Sequence, residues 1–164
     1  MSRLRAAVLL VLVALIACAP QGPPFISAAG AIPPVQQGMA RIFFYRWLEL
    51  YETTAPSAVY LNGKEVGVSE TGATFYRDVP AGQYLVAVRS DEPFENQFKT
   101  VVLRPGDVAY ARIESLKSWS SCGGGGGSAG GGGGVSGCRD TFVVVMMDPQ
   151  TAQFEMRDLR FING

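Results

Sequence analysis

The sequence predicts a mainly β protein: a small antiparallel β-sandwich of about seven to eight strands with one short C-terminal helix. Short apolar runs, many of them alternating with polar residues, follow one another from residue 38 onward. Turn signals built from Asn, Gly, Pro and Asp separate these runs about every 8 to 12 residues. No helical pattern alternates with the strands, which disfavours a parallel α/β fold.

The first predicted strand, residues 40–46, is rich in aromatic and β-branched side chains that suit a pleated, half-buried surface. One of its faces is formed by Ala40, Ile42 and Phe44. Because this face is purely apolar, we expect it to point into the core. The opposite face mixes cationic and aromatic side chains.

Asn62-Gly63 separates two alternating apolar runs and predicts a tight β-hairpin, because both residues tolerate the positive φ angles that such a turn requires. We expect Val59 and Leu61, in the first strand of this hairpin, to face the core. The remaining strands are predicted at residues 74–79, 84–89, 98–103, 108–113 and 141–147.

Two segments that contain Pro and Gly, residues 80–82 and 104–107, are predicted to be turns, and Gly82 is expected to supply a positive φ angle. Residues 141–147 form a continuous apolar run, which predicts a central strand covered on both faces. The turns therefore join short strands throughout the chain, as in an all-β domain.

The C-terminal helix is predicted to begin at Asp148 and Pro149, since Asp is a favoured N-cap and Pro is favoured at the first helical position. Ala152, Met156 and Leu159 then recur at helical spacing. We expect this apolar stripe to lie on the sheet or at its edge.

The first 17 residues have the pattern of a secretory signal peptide. Arg3 and Arg5 precede a twelve-residue apolar run, and a membrane-spanning helix would need about 20 residues. Leu15-Ile16-Ala17-Cys18 resembles the bacterial lipobox, which implies cleavage before Cys18 and attachment of lipid to its sulfur. Ordinary cleavage at an A-x-A site is the alternative.

Lipid attachment at Cys18 would place the protein in the bacterial cell envelope. Ala19 stands where an Asp would favour retention in the inner membrane, so we expect an outer-membrane anchor with the protein facing the periplasm. Residues 18–37, rich in Pro, Ala and Gly, are predicted to be the lipidated Cys and a flexible tether. Residues 38–164 are predicted to form a single domain.

Composition excludes several classes of function. The chain has 14 basic and 14 acidic residues, and no His. Without a basic stripe, nucleic acid is not an expected partner. Without His, the chain lacks the commonest general base and the commonest transition-metal ligand. We therefore expect a protein that is not an enzyme, with no cofactor, no metal and no catalytic residues.

A glycine-rich loop lies between Cys122 and Cys138, with two runs of five glycines. A phosphate-binding loop would need Lys followed by Ser or Thr and then a helix. A zinc site would need four Cys or His ligands, and a redox pair normally has C-x-x-C spacing. In an exported protein the two cysteines are better interpreted as a disulfide. Closing a loop of about 15 residues would stabilise the fold by about 3 kcal/mol.

The second face of the first strand offers a candidate binding surface. Arg41, Phe43, Tyr45 and Trp47 lie along it, and an exposed Tyr45–Trp47 stripe would suit a glycan or peptide. The alternative is a row of core residues covered by the helix. The acidic residues considered for calcium binding are expected to be surface turn residues instead; they are Asp78, Asp107 and Asp140.

Four blocks of sequence carry a family resemblance: residues 38–46, residues 61–67, residues 75–84 with their P-x-G-x-Y turn, and residues 103–110. Together they resemble the bacterial lipoproteins of domain of unknown function 2846. The middle blocks are also similar to the PEGA surface-protein modules. The resemblance implies a small β-sandwich on a lipid anchor and supplies no catalytic residues. The glycine-rich loop departs from the family pattern.

These observations predict a non-enzymatic cell-envelope lipoprotein that presents a β-sandwich surface to another envelope component, either a protein or a glycan. A glycan- or peptide-binding envelope module is one alternative. An envelope hydrolase or transferase is the other, and the missing His disfavours it.

Overall fold

The computed structural model describes residues 21–48, 54–90, 97–115 and 141–162. Within these ranges the chain forms two packed sheets with a layer of helical and irregular chain on one outer side. The strands are β1 (Met39–Arg46), β2 (Ser57–Leu61), β3 (Lys64–Ser69), β4 (Ala73–Pro80), β5 (Gly82–Val88), β6 (Phe98–Leu103), β7 (Val108–Ser115), β8 (Phe142–Met147) and β9 (Arg160–Phe161). The α-helices are α1 (Phe25–Ala28), continued by a 3₁₀ turn at Ala29–Ala31, and α2 (Pro149–Met156).

The predicted sandwich and its C-terminal helix are confirmed. One sheet has the strand order β8-β7-β1-β4-β9 and the other has the order β3-β2-β5-β6. The five-stranded sheet is not wholly antiparallel, since β1 pairs with β7 and β4 pairs with β9 in parallel. The turn before β7 explains the first parallel pair: Gly106 N–H donates to the Met39 carbonyl at 2.8 Å, so β7 and β1 start at the same end of the sheet.

The Asn62-Gly63 hairpin forms as predicted, with φ angles of 50° and 79° at its two central residues. The segment at residues 80–82 differs from the prediction. It joins β4 in one sheet to β5 in the other, so it is a crossing between sheets, and Gly82 is not among the residues with positive φ. The Tyr84 hydroxyl donates to the Pro80 carbonyl at 2.7 Å and fixes this corner.

The core between the two sheets contains the apolar face predicted for β1. Ala40, Ile42 and Phe44 are fully buried. Phe44 stacks on Phe75 with 5.1 Å between ring centroids. Val59 is buried on the facing sheet, as the alternation in β2 predicts.

The prediction that residues 141–147 form a central strand is wrong, because β8 lies at the edge of the five-stranded sheet. Both faces of β8 are nevertheless buried, since Phe142 and Val144 are buried on one face and Val143 is buried on the other. A continuous apolar run indicates that both faces of a strand are covered. It does not indicate whether the strand has a neighbour on each side, and this explains the error.

The outer side of the five-stranded sheet is covered by residues 21–35 and α2, which we call the covering layer. Phe25 is buried and meets Phe43 edge-on at 5.6 Å. Its N–H donates to the Leu159 carbonyl at 2.8 Å. The predicted flexible tether at residues 18–37 is therefore wrong from Gln21 onward. Burying a Phe side chain contributes about 1.5–3 kcal/mol, which helps to offset the entropy lost on ordering the segment.

Helix α2 starts as predicted. The Asp148 side chain accepts a hydrogen bond from Thr151 N–H at 2.9 Å, with Pro149 at the first helical position. Ala152 and Met156 are fully buried against the sheet. Among the helices of the described ranges, none is long and apolar enough to cross a membrane.

Candidate functional site

The three cysteines, Cys18, Cys122 and Cys138, lie outside the described residues, so lipid attachment and the disulfide stay predictions. The structure does describe the two strands that the glycine-rich loop joins. These are β7 and β8, antiparallel neighbours whose last pair is Ser115 with Phe142. The loop therefore connects adjacent strands of one sheet.

The candidate Tyr45–Trp47 stripe is not an exposed surface. Tyr45 is 1% exposed because α2 covers it, whereas Trp47 is half-buried. The Arg112 guanidinium lies over the Trp47 ring, 5.1 Å from its centroid. The row is thus mainly a core row beneath the helix, which was the alternative interpretation of the pattern.

A buried polar cluster holds α2 on the sheet. The Tyr45 hydroxyl donates to Glu155 Oε2 at 2.5 Å, and Arg112 Nη1 contacts Glu155 Oε1 at 2.9 Å. Arg112 also forms an ion pair with Glu114. Burial, followed by the hydrogen bond to Glu155, raises the pKa of Tyr45 far above its usual range. Each charged member has a partner, so the cluster positions the helix.

A second buried ion pair fastens β1 to β4. Arg41 is 4% exposed and meets Asp78 through two contacts, Nε to Oδ1 at 2.6 Å and Nη2 to Oδ2 at 2.8 Å. Its third nitrogen donates to the Pro33 carbonyl at 2.8 Å. The hydrogen bond that Arg41 donates to Asp78 is the main cause of the raised pKa of Arg41. The hydrogen bond to Pro33 also joins the covering layer to the sheet.

The acidic residues have different roles in the structure. Asp78 lies within β4, opposite Arg41, so its assignment to a turn is wrong. Asp107 is a turn residue as predicted, since its carboxylate accepts from Arg104 N–H at 2.8 Å. Asp140 lies outside the described residues. Within the described ranges, no group of three or more Cys, Asp or Glu side chains could hold a metal ion.

A cavity of about 470 Å³ lies between the covering layer and the five-stranded sheet. Its walls are mainly apolar, with Phe25, Ile32 and Phe43 prominent. The polar groups in it are already paired: Arg41 holds Asp78, and Gln153 Nε2 donates to the Tyr110 hydroxyl at 3.0 Å. Arg157 also lines the cavity and pairs with exposed Asp158, so the cavity offers mainly apolar contact.

The outer side of the four-stranded sheet, which we call the open face, carries the main exposed apolar cluster of the described residues. Leu85, Phe98 and Val102 are 40%, 57% and 69% exposed. Leu85 lies opposite Thr100 in the β5–β6 register, between Phe98 and Val102 along β6. Diagonal neighbours in a sheet are about 7–8 Å apart, so the three side chains form one cluster. Exposed apolar clusters of this kind mark interaction sites.

The open face also ends in an edge strand. β6 is the last strand of its sheet, and no described strand pairs with its free side. Such an edge presents backbone donors and acceptors to an added chain. Sequence reasoning did not single out this surface. The sequence of β6 contains a signal that could have revealed it. Apolar residues occur on both faces of this strand, although one face of a sandwich sheet normally meets solvent.

The chain is similar to a known family of proteins. A family described as "Protein of unknown function (DUF2846)" matches residues 36–128, more than half of the chain. The match spans β1 to β7 and confirms the family resemblance of the four sequence blocks. No curated protein and no solved structure matches the chain.

Proposed function

The chain belongs to the DUF2846 family of proteins of unknown function, and from that premise we propose that it is an exported, lipid-anchored protein that binds a protein partner through its open face. In this proposal it sits in the bacterial cell envelope, on the outer membrane facing the periplasm, and acts by binding rather than by catalysis. The observation that carries the binding role is the exposed cluster of Leu85, Phe98 and Val102.

The lipid anchor is supported by the leader. A basic start, a short apolar run and Leu15-Ile16-Ala17-Cys18 follow one another, and the family match begins after them, at residue 36. Bacterial lipoproteins carry two or three acyl chains. Because one chain gives only reversible attachment and a second makes it stable, such an anchor would be long-lived.

A protein partner fits the open face better than a glycan does. The face is a sheet surface with aliphatic residues and one exposed Phe, and it borders an edge strand. β-strand addition at such an edge is a common mode of peptide recognition. The glycan alternative depended on an exposed Tyr45–Trp47 stripe, and Tyr45 is 1% exposed.

Replacing the lipid-bearing residue tests the anchor. With Cys18→Ser, we expect the protein to move from the membrane fraction to the soluble periplasm, because no thioether to lipid can form. The matched control is the double variant Cys122→Ser/Cys138→Ser, which keeps Cys18 and should stay in the membrane fraction. Unchanged fractionation of Cys18→Ser would contradict the anchor.

The open face is tested by site-specific photo-crosslinking in cells. A photoreactive side chain at exposed Thr100 should give a discrete protein adduct. Adding Phe98→Asp and Val102→Asp should lower the yield of the adduct at least about tenfold, because aromatic anchors dominate interfaces. A tenfold loss of affinity corresponds to about 1.4 kcal/mol of binding free energy.

The control for this experiment is Leu48→Asp, which changes an exposed apolar residue outside the open face and should leave the adduct unchanged. An adduct that survives the open-face substitutions would contradict the proposal. An adduct of twice the chain mass, lost in the same way, would identify the partner as a second copy of this chain. The unfolding midpoint of each variant should match that of the parent.

A further inference from the structure

We propose that the covering layer rests on the same bilayer that holds the anchor, with Ile26 and Phe154 inserted at the lipid interface. This inference rests on the proposed lipidation of Cys18. It adds an orientation: the layer formed by residues 21–35 and α2 faces lipid, and the open face points away from the membrane.

The length of chain before the ordered segment sets the distance. Cys18 precedes Gln21 by three residues, and an extended chain spans at most about 3.6 Å per residue, or about 11 Å in total. From Gly22 onward the segment is hydrogen-bonded to β9, near the C-terminus of the described chain. Phe161 N–H donates to the Pro23 carbonyl at 2.8 Å, and Arg160 Nη1 donates to the Gly22 carbonyl at 3.2 Å. The lipidated residue therefore cannot move far from the covering layer.

Exposed apolar side chains lie on this layer. Ile26 is 60% exposed and Phe154 is 71% exposed. Arg157 connects them: its carbonyl accepts from Ile26 N–H at 2.9 Å, and its guanidinium lies 6.0 Å from the centre of the Phe154 ring. Arg157 is therefore joined to Ile26 through the backbone and to Phe154 through its side chain. Aromatic and aliphatic side chains beside Arg are typical of protein surfaces that lie in a membrane interface.

The charges on this layer also suit a bilayer. Residues 21–37 contain no charged residue, so that part of the layer would bring no charge to the interface. Arg157 and Arg160 are both exposed, and Asp158 is the acidic residue beside them, with 3.3 Å between Arg157 Nε and Asp158 Oδ2. The two cations are placed to contact anionic lipid headgroups.

Two exposed phenylalanines on opposite sides of the sandwich provide the test. Phe154 lies on the covering layer, whereas Phe98 lies on the open face. The full lipidated chain is reconstituted in vesicles of phosphatidylethanolamine and phosphatidylglycerol in which some lipids carry bromine on their acyl chains. Bromine quenches an indole only at contact range. The parent, which keeps Trp47 and Trp119, sets the baseline.

In the Phe154→Trp variant, we expect the emission of the added indole to fall at least about twofold with brominated lipid, because the ring would lie at the acyl boundary. The Phe98→Trp variant should show no quenching beyond the parent. Ile26→Trp, also at an exposed site, should repeat the Phe154 result. Equal quenching at positions 98 and 154, or none at positions 154 and 26, would overturn the orientation.

Flotation and intact mass separate the two proposals. A chain without acyl groups that does not float with the vesicles would refute the lipid anchor, and with it the docking. A lipidated chain that floats but shows no quenching at positions 26 and 154 would refute the docking and leave the anchor intact. The first outcome would therefore refute both proposals, whereas the second would refute the docking alone.

Discussion

Asp78→Ala is expected to lower the free energy of unfolding by about 3 kcal/mol, because it leaves the Arg41 guanidinium buried without its carboxylate. Arg41 is 4% exposed and holds Asp78 through two hydrogen bonds of 2.6 and 2.8 Å. Removing one partner of a buried ion pair costs about 3–5 kcal/mol. We expect the lower end of this range, because the Asp78 side chain is 27% exposed and water can partly replace it.

Urea unfolding of the purified protein measures this loss. The matched control is Asp158→Ala, since the Asp158 side chain is 79% exposed and its ion pair with Arg157 spans 3.3 Å. An exposed pair of this kind is worth at most about 1 kcal/mol. Equal midpoints for the two variants would show that the Arg41–Asp78 pair does not fasten β1 to β4.

Phe25→Ala is expected to release the N-terminal segment from the domain. Phe25 is 8% exposed and packs on Phe43 and Phe161 with ring centroids 5.6 and 6.1 Å away. Truncating a buried Phe costs about 3–5 kcal/mol. Because the segment lies on the outside of the sheet, we expect it to open locally before the sandwich unfolds.

Amide hydrogen exchange measures this opening. The N–H of Phe25, bonded to the Leu159 carbonyl at 2.8 Å, should lose at least about 100-fold of its protection, since each 1.4 kcal/mol changes an equilibrium tenfold. The adjacent substitution Ile26→Ala removes a side chain that is 60% exposed and should leave protection almost unchanged. Exchange in Phe25→Ala at the parent rate would mean that the segment is held by its backbone alone.

Local features of the fold could be predicted from the sequence because their causes are local. The apolar face of β1, the positive φ angles at Asn62-Gly63 and the Asp148 cap of α2 each depend on residues a few positions apart. Apart from the β2–β3 pair joined by the Asn62-Gly63 hairpin, the pairing of strands could not be predicted. A Pro-Gly turn such as residues 104–107 has the same composition whether it closes a hairpin or carries the chain to the other sheet.

Whether a candidate site could be predicted likewise depends on whether its residues are close together in the sequence. The Arg41–Asp78 pair joins residues from separate strands, so only the register of β1 with β4 reveals it. The row containing Tyr45 could be found from its period of two, but whether α2 would cover it could not. The open face was missed because the exposure of Phe98 and Val102 depends on whether another element covers β6, a property that no single strand encodes.

The parallel pairing of β1 with β7 has a consequence for how the protein acquires its fold. Arg41 pairs with Val108, roughly 70 residues later, and β1 lies at the centre of its sheet. The first strand to be synthesised therefore pairs with one that is made late, and the whole four-stranded sheet and β4 are synthesised between them. Contacts so distant along the chain make folding slow, on the order of milliseconds to seconds. In the exported protein that we propose, such a delay would keep the nascent polypeptide unfolded during its passage through a translocation channel.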